Sequence, residues 1–370
     1  MLKKTLIILI ILLVLVAGTL VVYNFFFKKE AAPVVTEELP EEKITPSPTA
    51  KIKPISQEPV LAPTIDNQKI KYYLANNGNV FESNFDGSDL ERLTSNALQG
   101  LKYIIWAPNK TKVIGIFEKD GEVKKYFYDY QTKKSALLNQ NIQWLTWSPD
   151  SRQIAYQYYN PQTQENYISL ADPDGSNWQN AFKTRIKDII VEWPKKELIS
   201  LRTRPSGLAQ SELYTLNPQT SAFQKVLSGI YGLSALWSPS GEKFIFSQTN
   251  SDGRNLKLKI TNKNGEAPKE LNVLTLPEKC VWSQDERYAF CAVPSALPPQ
   301  AILPDDYYKE TFSTADDFYK INTETNQKTL LIEPEQMESD YDATSLLLSP
   351  QEDYLFFVNK KDGLLYSLKL

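Results

Sequence analysis

Short apolar runs alternate with polar turns along most of this chain, and the turns recur in register. A Trp closes one apolar run, a tight polar turn follows, and a second apolar run begins. The unit reads Trp106-Ala107-Pro108-Asn109, Trp147-Ser148-Pro149-Asp150 and Trp237-Ser238-Pro239-Ser240-Gly241. Weaker copies are Trp282-Ser283-Gln284-Asp285 and Leu348-Ser349-Pro350-Gln351, and Trp193-Pro194-Lys195-Lys196 is degenerate. Successive steps are 41, 46, 44, 45 and 66 residues. A period of this size, built from strands rather than helices, predicts a radial repeat: an all-β propeller.

Within each unit the turn chemistry is explicit. Pro presets φ and Asp or Ser caps the turn, so the chain reverses and a hairpin forms. Seven residues after the first position of five copies stands Val113, Ile154, Phe244, Ala289 or Leu355, all apolar. A constant hairpin requires such an offset. The Trp193 copy breaks it, because Leu198 and Ile199 arrive earlier. A third strand follows, as in Tyr126-Phe127-Tyr128-Asp129 or Leu258-Lys259-Ile260-Thr261, and then a shorter fourth, as in Lys225-Val226-Leu227. Four antiparallel strands make one blade. Five complete repeats, with about three strands before and about three after, give roughly 26 strands at four per blade. That count lies between six blades and seven, and seven is favoured.

The N-terminal pattern differs. Residues 5–27 are an apolar run flanked by Lys3 and Lys4 before and by Lys28 and Lys29 after. As a helix the run would be roughly 34 Å long, enough to cross a bilayer. It ends in Tyr23-Asn24-Phe25-Phe26-Phe27, a poor cleavage site, so an uncleaved anchor is favoured over a signal peptide. The expected orientation is N-terminus cytoplasmic and propeller extracytoplasmic. Residues 28–67 hold seven prolines, several Glu and no Phe, Tyr or Trp, which predicts a disordered, semi-extended linker. The expected domains are therefore 1–27 anchor, 28–67 linker and 68–370 propeller.

Composition narrows the chemistry. The chain has no His, which removes imidazole bases and His-ligated metals. Its net charge of -3 gives no pull toward nucleic acid. Cys280 and Cys291 flank one hairpin, and their midpoint falls inside the 283–286 turn. Facing each other on adjacent strands, they form either a disulfide or two small buried thiols.

Trp147-Ser148-Pro149-Asp150, the Asp86-Gly87 turn and the closing Arg92-Leu93-Thr94 resemble the WD-like propeller repeats of TolB-type periplasmic proteins. The resemblance covers about 68–370. It implies blades in which Trp106, Trp147, Trp193, Trp237 and Trp282 are structural, and a propeller that serves as a docking platform for other proteins. The anchor and linker replace the α/β domain typical of that family, so its envelope partners do not carry over.

The step of 66 residues marks an insertion over about 293–314, followed by Asp316-Asp317. Its Asp305-Asp306-Tyr307-Tyr308 is the candidate binding element, since loops on a rigid scaffold carry recognition. Asp172-Pro173-Asp174-Gly175-Ser176-Asn177 superficially matches a calcium loop but lacks the distal Glu. Asn109-Lys110-Thr111 is a sequon inside a blade turn. No Gly-x-Ser-x-Gly element is present; Gly232-Leu233-Ser234-Ala235-Leu236 lacks the second Gly. No catalytic, cofactor or metal residue is assigned. The expectation is a membrane-anchored, non-catalytic module for a protein or peptide partner. The alternative is a propeller that binds or cleaves envelope carbohydrate. A broad, partly apolar face would favour the first; exposed aromatics and facing carboxylates converging at one end of the channel would favour the second.

Overall fold

The computed structural model describes residues 51–370 apart from Asn96. The expected anchor, and the linker up to residue 50, lie outside the described residues. Among the described residues no helix is long and apolar enough to cross a membrane. Seven four-stranded antiparallel sheets form seven blades. Blades 1 to 6 occupy 60–92, 101–137, 142–183, 189–231, 235–270 and 280–330, each with its strands in chain order. The first strand of each blade lies innermost, beside the first strands of its neighbours, and the fourth lies at the rim.

Blade 7 closes the ring. Its three C-terminal strands, Ala343–Leu348, Tyr354–Asn359 and Leu365–Lys369, receive Ile52–Pro54 as their outer strand. The first strand of blade 1 is Val60–Asp66. The propeller therefore begins at residue 52, not 68, and the end of the expected linker supplies two strands. Among the described residues they complete 28 strands and seven blades. Prolines hide them in the sequence. Pro54 closes an outer-edge strand, where a missing N–H costs no ladder bond. Pro63 sits in a register shift between Leu61 and Thr64. Burial of Ile52, Ile55 and Val60 holds the segment in place, each such side chain contributing about 1.5–3 kcal/mol.

The core is divided among the seams. Seven apolar clusters fill the seven junctions between adjacent blades. At one, Trp147, Ile154 and Tyr156 of blade 3 pack on Ile114 and Phe127 of blade 2. The offset of seven residues has a direct meaning. Trp106 pairs with Val113, Trp147 with Ile154, Trp237 with Phe244, Trp282 with Ala289 and Leu348 with Leu355. Blade 4 is different: Lys195 pairs with Leu198 after a register shift, which accounts for the degenerate Trp193 copy. Cys280 and Cys291 are paired residues joined by a disulfide, with S–S 2.10 Å.

Candidate functional site

Antiparallel strands place two kinds of connection at the two ends of the ring. At one end lie the turns joining strands one to two and three to four. At the other lie the links from strand two to three and from blade to blade. The first is called here the turn face and the second the insertion face. Lys51 and Leu370 both lie at the turn face, where Lys369 N–H donates to the Lys51 carbonyl at 3.0 Å.

The turn face is satisfied internally. Ser148 Oγ accepts the Gln153 N–H at 2.9 Å and donates to Asp150 at 2.7 Å. Ser283 and Ser349 accept the Tyr288 and Tyr354 N–H groups in the same way. The Ser hydroxyls hold the Asp150 and Asp285 carboxyls below the usual range. Each turn also reaches the preceding blade. Ser151 Oγ accepts the Asn109 N–H at 3.0 Å, Glu352 accepts the Gln284 N–H at 2.8 Å, and Glu286 accepts the Ser240 hydroxyl at 2.8 Å. Glu242 binds Lys195 of blade 4 and Lys263 of its own blade, and these bonds pull its pKa down to about 2.

The repeat tryptophans work across seams. The Trp106, Trp147 and Trp282 indole N–H groups donate to the carbonyls of Ala62, Ile105 and Leu236 in the preceding blade, at 2.9, 3.0 and 3.3 Å. Trp193 instead donates to Lys196 in its own turn at 3.4 Å, and the buried Trp237 indole N–H has no partner among the described residues. The Asp172–Asn177 turn is an ordinary blade turn: Asp174 accepts from Ser176 and Asp172 from Asn177. Asn109 Oδ1 is engaged by Thr111.

The insertion leaves blade 6 after Pro294 and returns at Asp316. Its Ala301, Leu303 and Tyr307 pack in a small cluster with Leu256 and Leu276 of the scaffold. A short helix, α1 (Asp305–Tyr308), carries the four candidate residues. Asp305 accepts the Ser206 hydroxyl at 2.9 Å and the Gly207 N–H at 2.6 Å, which ties the insertion to blade 4. Asp306 accepts the Ile302 N–H at 2.8 Å. Tyr307 is buried. Tyr308 has an exposed ring, while its hydroxyl end lies against Glu278 and Ser234; burial there, then Glu278, pushes its pKa up. Asp305 thus clamps the scaffold, Asp306 braces the insertion itself, Tyr307 is buried, and Tyr308 is the most exposed of the four.

Beneath α1 is an ionic cluster that the sequence does not announce. Lys279, 1% exposed, lies 2.8 Å from both Asp316 and Asp342. Tyr307 Oη donates to Asp342 at 2.9 Å, and the Thr314 N–H donates to its other oxygen at 3.1 Å. Burial pushes Asp316 upward. Asp342 is held below the usual range: burial opposes this, but the Lys279 ammonium and the hydrogen bonds outweigh it. The adjoining cavity is about 10 Å³, room for at most one water. The Lys279, Asp316 and Asp342 side chains are all shut off from solvent, and the cluster acts as an anchor for the insertion. The available signal is positional. Three residues before each motif stand Tyr103, Trp144, Ile190, Ser234, Lys279 and Ser345, and Lys279 alone is charged.

Large apolar side chains are exposed mainly on this face. Tyr103 (66%), Leu208 (59%), Leu274 (57%), Trp144 and Tyr308 come from different blades but all lie at the insertion end. Trp144 is held in place: its indole donates to Asp188 at 2.9 Å, and Arg204, paired with Asp188 at 2.7 Å, stacks over its ring at 5.6 Å.

No family model and no curated relative matches the chain. Solved structures do. An oligogalacturonate lyase from Vibrio parahaemolyticus aligns over 86% of this chain and 93% of its own, at 10% identity and TM-score 0.59. The tricorn protease aligns over 88% of this chain at 12% identity and TM-score 0.54, and the chain spans only 34% of that protein. TolB from Acinetobacter baumannii aligns over 70% of this chain and 62% of its own, at 14% identity and TM-score 0.47. The chain is a seven-bladed propeller of four-stranded blades, a fold with both enzymes and TolB among its similar structures.

Proposed function

We propose that this protein is a membrane-tethered, extracytoplasmic docking module, without catalytic activity, that holds a protein or peptide partner on the insertion face. The observation that carries this is the contrast between the ends of the ring. The turn face is chained by its own hydrogen bonds and exposes Leu90, Trp178, Phe223 and Leu370 at scattered rim turns and the chain end, whereas the insertion face exposes Tyr103, Trp144, Leu208, Leu274 and Tyr308 from successive blades. Fixed aromatics such as Trp144 lose little entropy on binding and suit interface anchors. The described chain begins at the turn face, the end of the ring opposite the proposed docking surface. The apolar run over 5–27 supports the membrane anchor, and the Cys280–Cys291 disulfide suits an oxidising compartment.

The test is cross-linking of tagged full-length protein in its native membrane, compared with the Tyr103→Ser/Leu208→Ser variant. Both positions are exposed, so the variant should keep parental stability to within about 0.5 kcal/mol. A protein retained by the parent and lost from the variant is the expected result. Equal retention by both would sink the face assignment. Deleting 293–314 is a poorer test, because it also strips Lys279 of Tyr307 and Thr314.

A further inference from the structure

The seam between blades 2 and 3 opens toward the rim as a groove of about 980 Å³, at the upper end of ligand-site sizes. Its origin is a mismatch of outer strands. Blade 2 ends in the three residues Ser135–Leu137, whereas blade 3 ends in the five residues Gln179–Lys183. The face that blade 3 turns toward blade 2 is therefore covered near the axis and bare near the rim. Alternation along its strands puts Tyr156 and Tyr158, then Glu165, Tyr167 and Ser169, then Asn180 on that one face. Trp178, 63% exposed, stands at the groove's edge. Opposite lie the side-chain amides of Asn139, Gln140 and Asn141.

We infer that this groove binds an oligosaccharide chain; it runs along the seam and contains none of Tyr103, Trp144, Leu208, Leu274 and Tyr308 of the proposed docking surface. The lining combines the two features that sugars require. Aromatic faces accept the C–H face of a pyranose, and Trp and Tyr offer such faces with a polar edge. Side-chain amides and carboxylates present planar pairs of polar atoms that match neighbouring hydroxyls. Some of these groups are already oriented: Ser169 donates to Asn180 Oδ1 at 2.8 Å, which directs the Asn180 amide N–H groups away from that bond. Asn141 Nδ2 donates to Tyr158 Oη at 3.3 Å. Charge is mixed, with Glu122 paired to Lys124 at 3.0 Å, so neither a polyanion nor a polycation is favoured. An extended peptide added beside Glu122–Lys124 is the rival occupant. That outer edge is unpaired for only three residues and carries the Glu122–Lys124 pair, the kind of charged, short edge that resists strand addition.

The experiment uses detergent-solubilised full-length protein on an array of neutral, N-acetylated and uronic-acid oligosaccharides, with extended peptides printed beside them. At least one oligosaccharide class should be retained, and Trp178→Ala should weaken that binding by about tenfold or more, corresponding to about 1.4 kcal/mol. Tyr167→Ala should weaken it and Tyr167→Phe should restore it in part. Phe223→Ala, an exposed aromatic outside the groove, should leave it unchanged. No retained oligosaccharide, retention indifferent to Trp178→Ala, or retention of peptides in place of glycans would each overturn the inference. Because this readout does not involve the Tyr103 and Leu208 face, it can fail while the docking proposal stands, and the reverse.

Discussion

The two ends of the ring are products of one repeat, yet they differ in kind. At the turn face every blade repeats a tight reversal, and Ser148, Ser283 and Ser349 close their turns with the same hydroxyl bond. Neighbouring turns then bind each other through Ser151, Glu286 and Glu352. At the insertion face the connections vary in length, from the Lys119–Glu122 reversal to the excursion between Pro294 and Asp316. Constancy on one face frees the other to diverge. A repeat protein can thus keep its architecture on one side while the opposite side acquires exposed aromatics and a buried anchor.

The strongest way to break this contrast is to remove the anchor. Lys279→Ala leaves Asp316 and Asp342 buried without their cation, and loss of one partner of such a cluster costs about 3–5 kcal/mol. Urea unfolding of the variant measures it. Adding Asp316→Asn and Asp342→Asn should recover much of the loss, because the unpaired charges go with it. A single-variant loss below about 1 kcal/mol would mean that the insertion is not held from beneath.

Smaller effects sharpen the account of the tryptophans. Trp147→Phe removes a hydrogen bond across a seam and leaves the Ile105 carbonyl without it, which costs about 1 kcal/mol or more beyond the change in packing. Trp237→Phe removes an indole N–H that has no partner among the described residues, so it should cost less. Equal losses in thermal denaturation would show that these indoles act through packing alone.

The smallest effect is acidic. Glu242 titrates at about 2 in the folded chain because Lys195 and Lys263 bind its carboxylate, against about 4.3 when unfolded. Its contribution is complete above the unfolded value and disappears as pH falls toward the folded one. Glu242 is exposed, so the gain is modest and screened by salt. In low salt the melting temperature of the parent should exceed that of Glu242→Gln at neutral pH, and the two should converge near pH 2. A gap that persists at pH 2 would assign the difference to something other than this charge.

Legibility in the sequence followed the range of the contacts. The offset from Trp147 to Ile154 is a hairpin pairing, local enough to be visible in the spacing. The midpoint between Cys280 and Cys291 likewise marks facing positions. Ile52–Pro54 was hidden because its partner, Leu365–Lys369, is at the far end of the chain and its own composition is that of a linker. The insertion was visible as excess length, but the direction of its side chains was not. Asp305 reaches Ser206, 99 residues away, and Lys279 reaches Asp342, 63 residues away. Nothing local distinguishes a carboxylate facing solvent from one clamping a distant loop.

The most direct test of the central claim is a photo-cross-linking scan of the full-length protein in intact cells. Photoreactive residues at Tyr103, Leu208 and Leu274 sample the insertion face, and those at Asn109 and Gln284 sample the turn face. The account predicts a discrete protein adduct from the first set and none from the second. Adducts from the turn positions, or an insertion face that captures no protein, would contradict it.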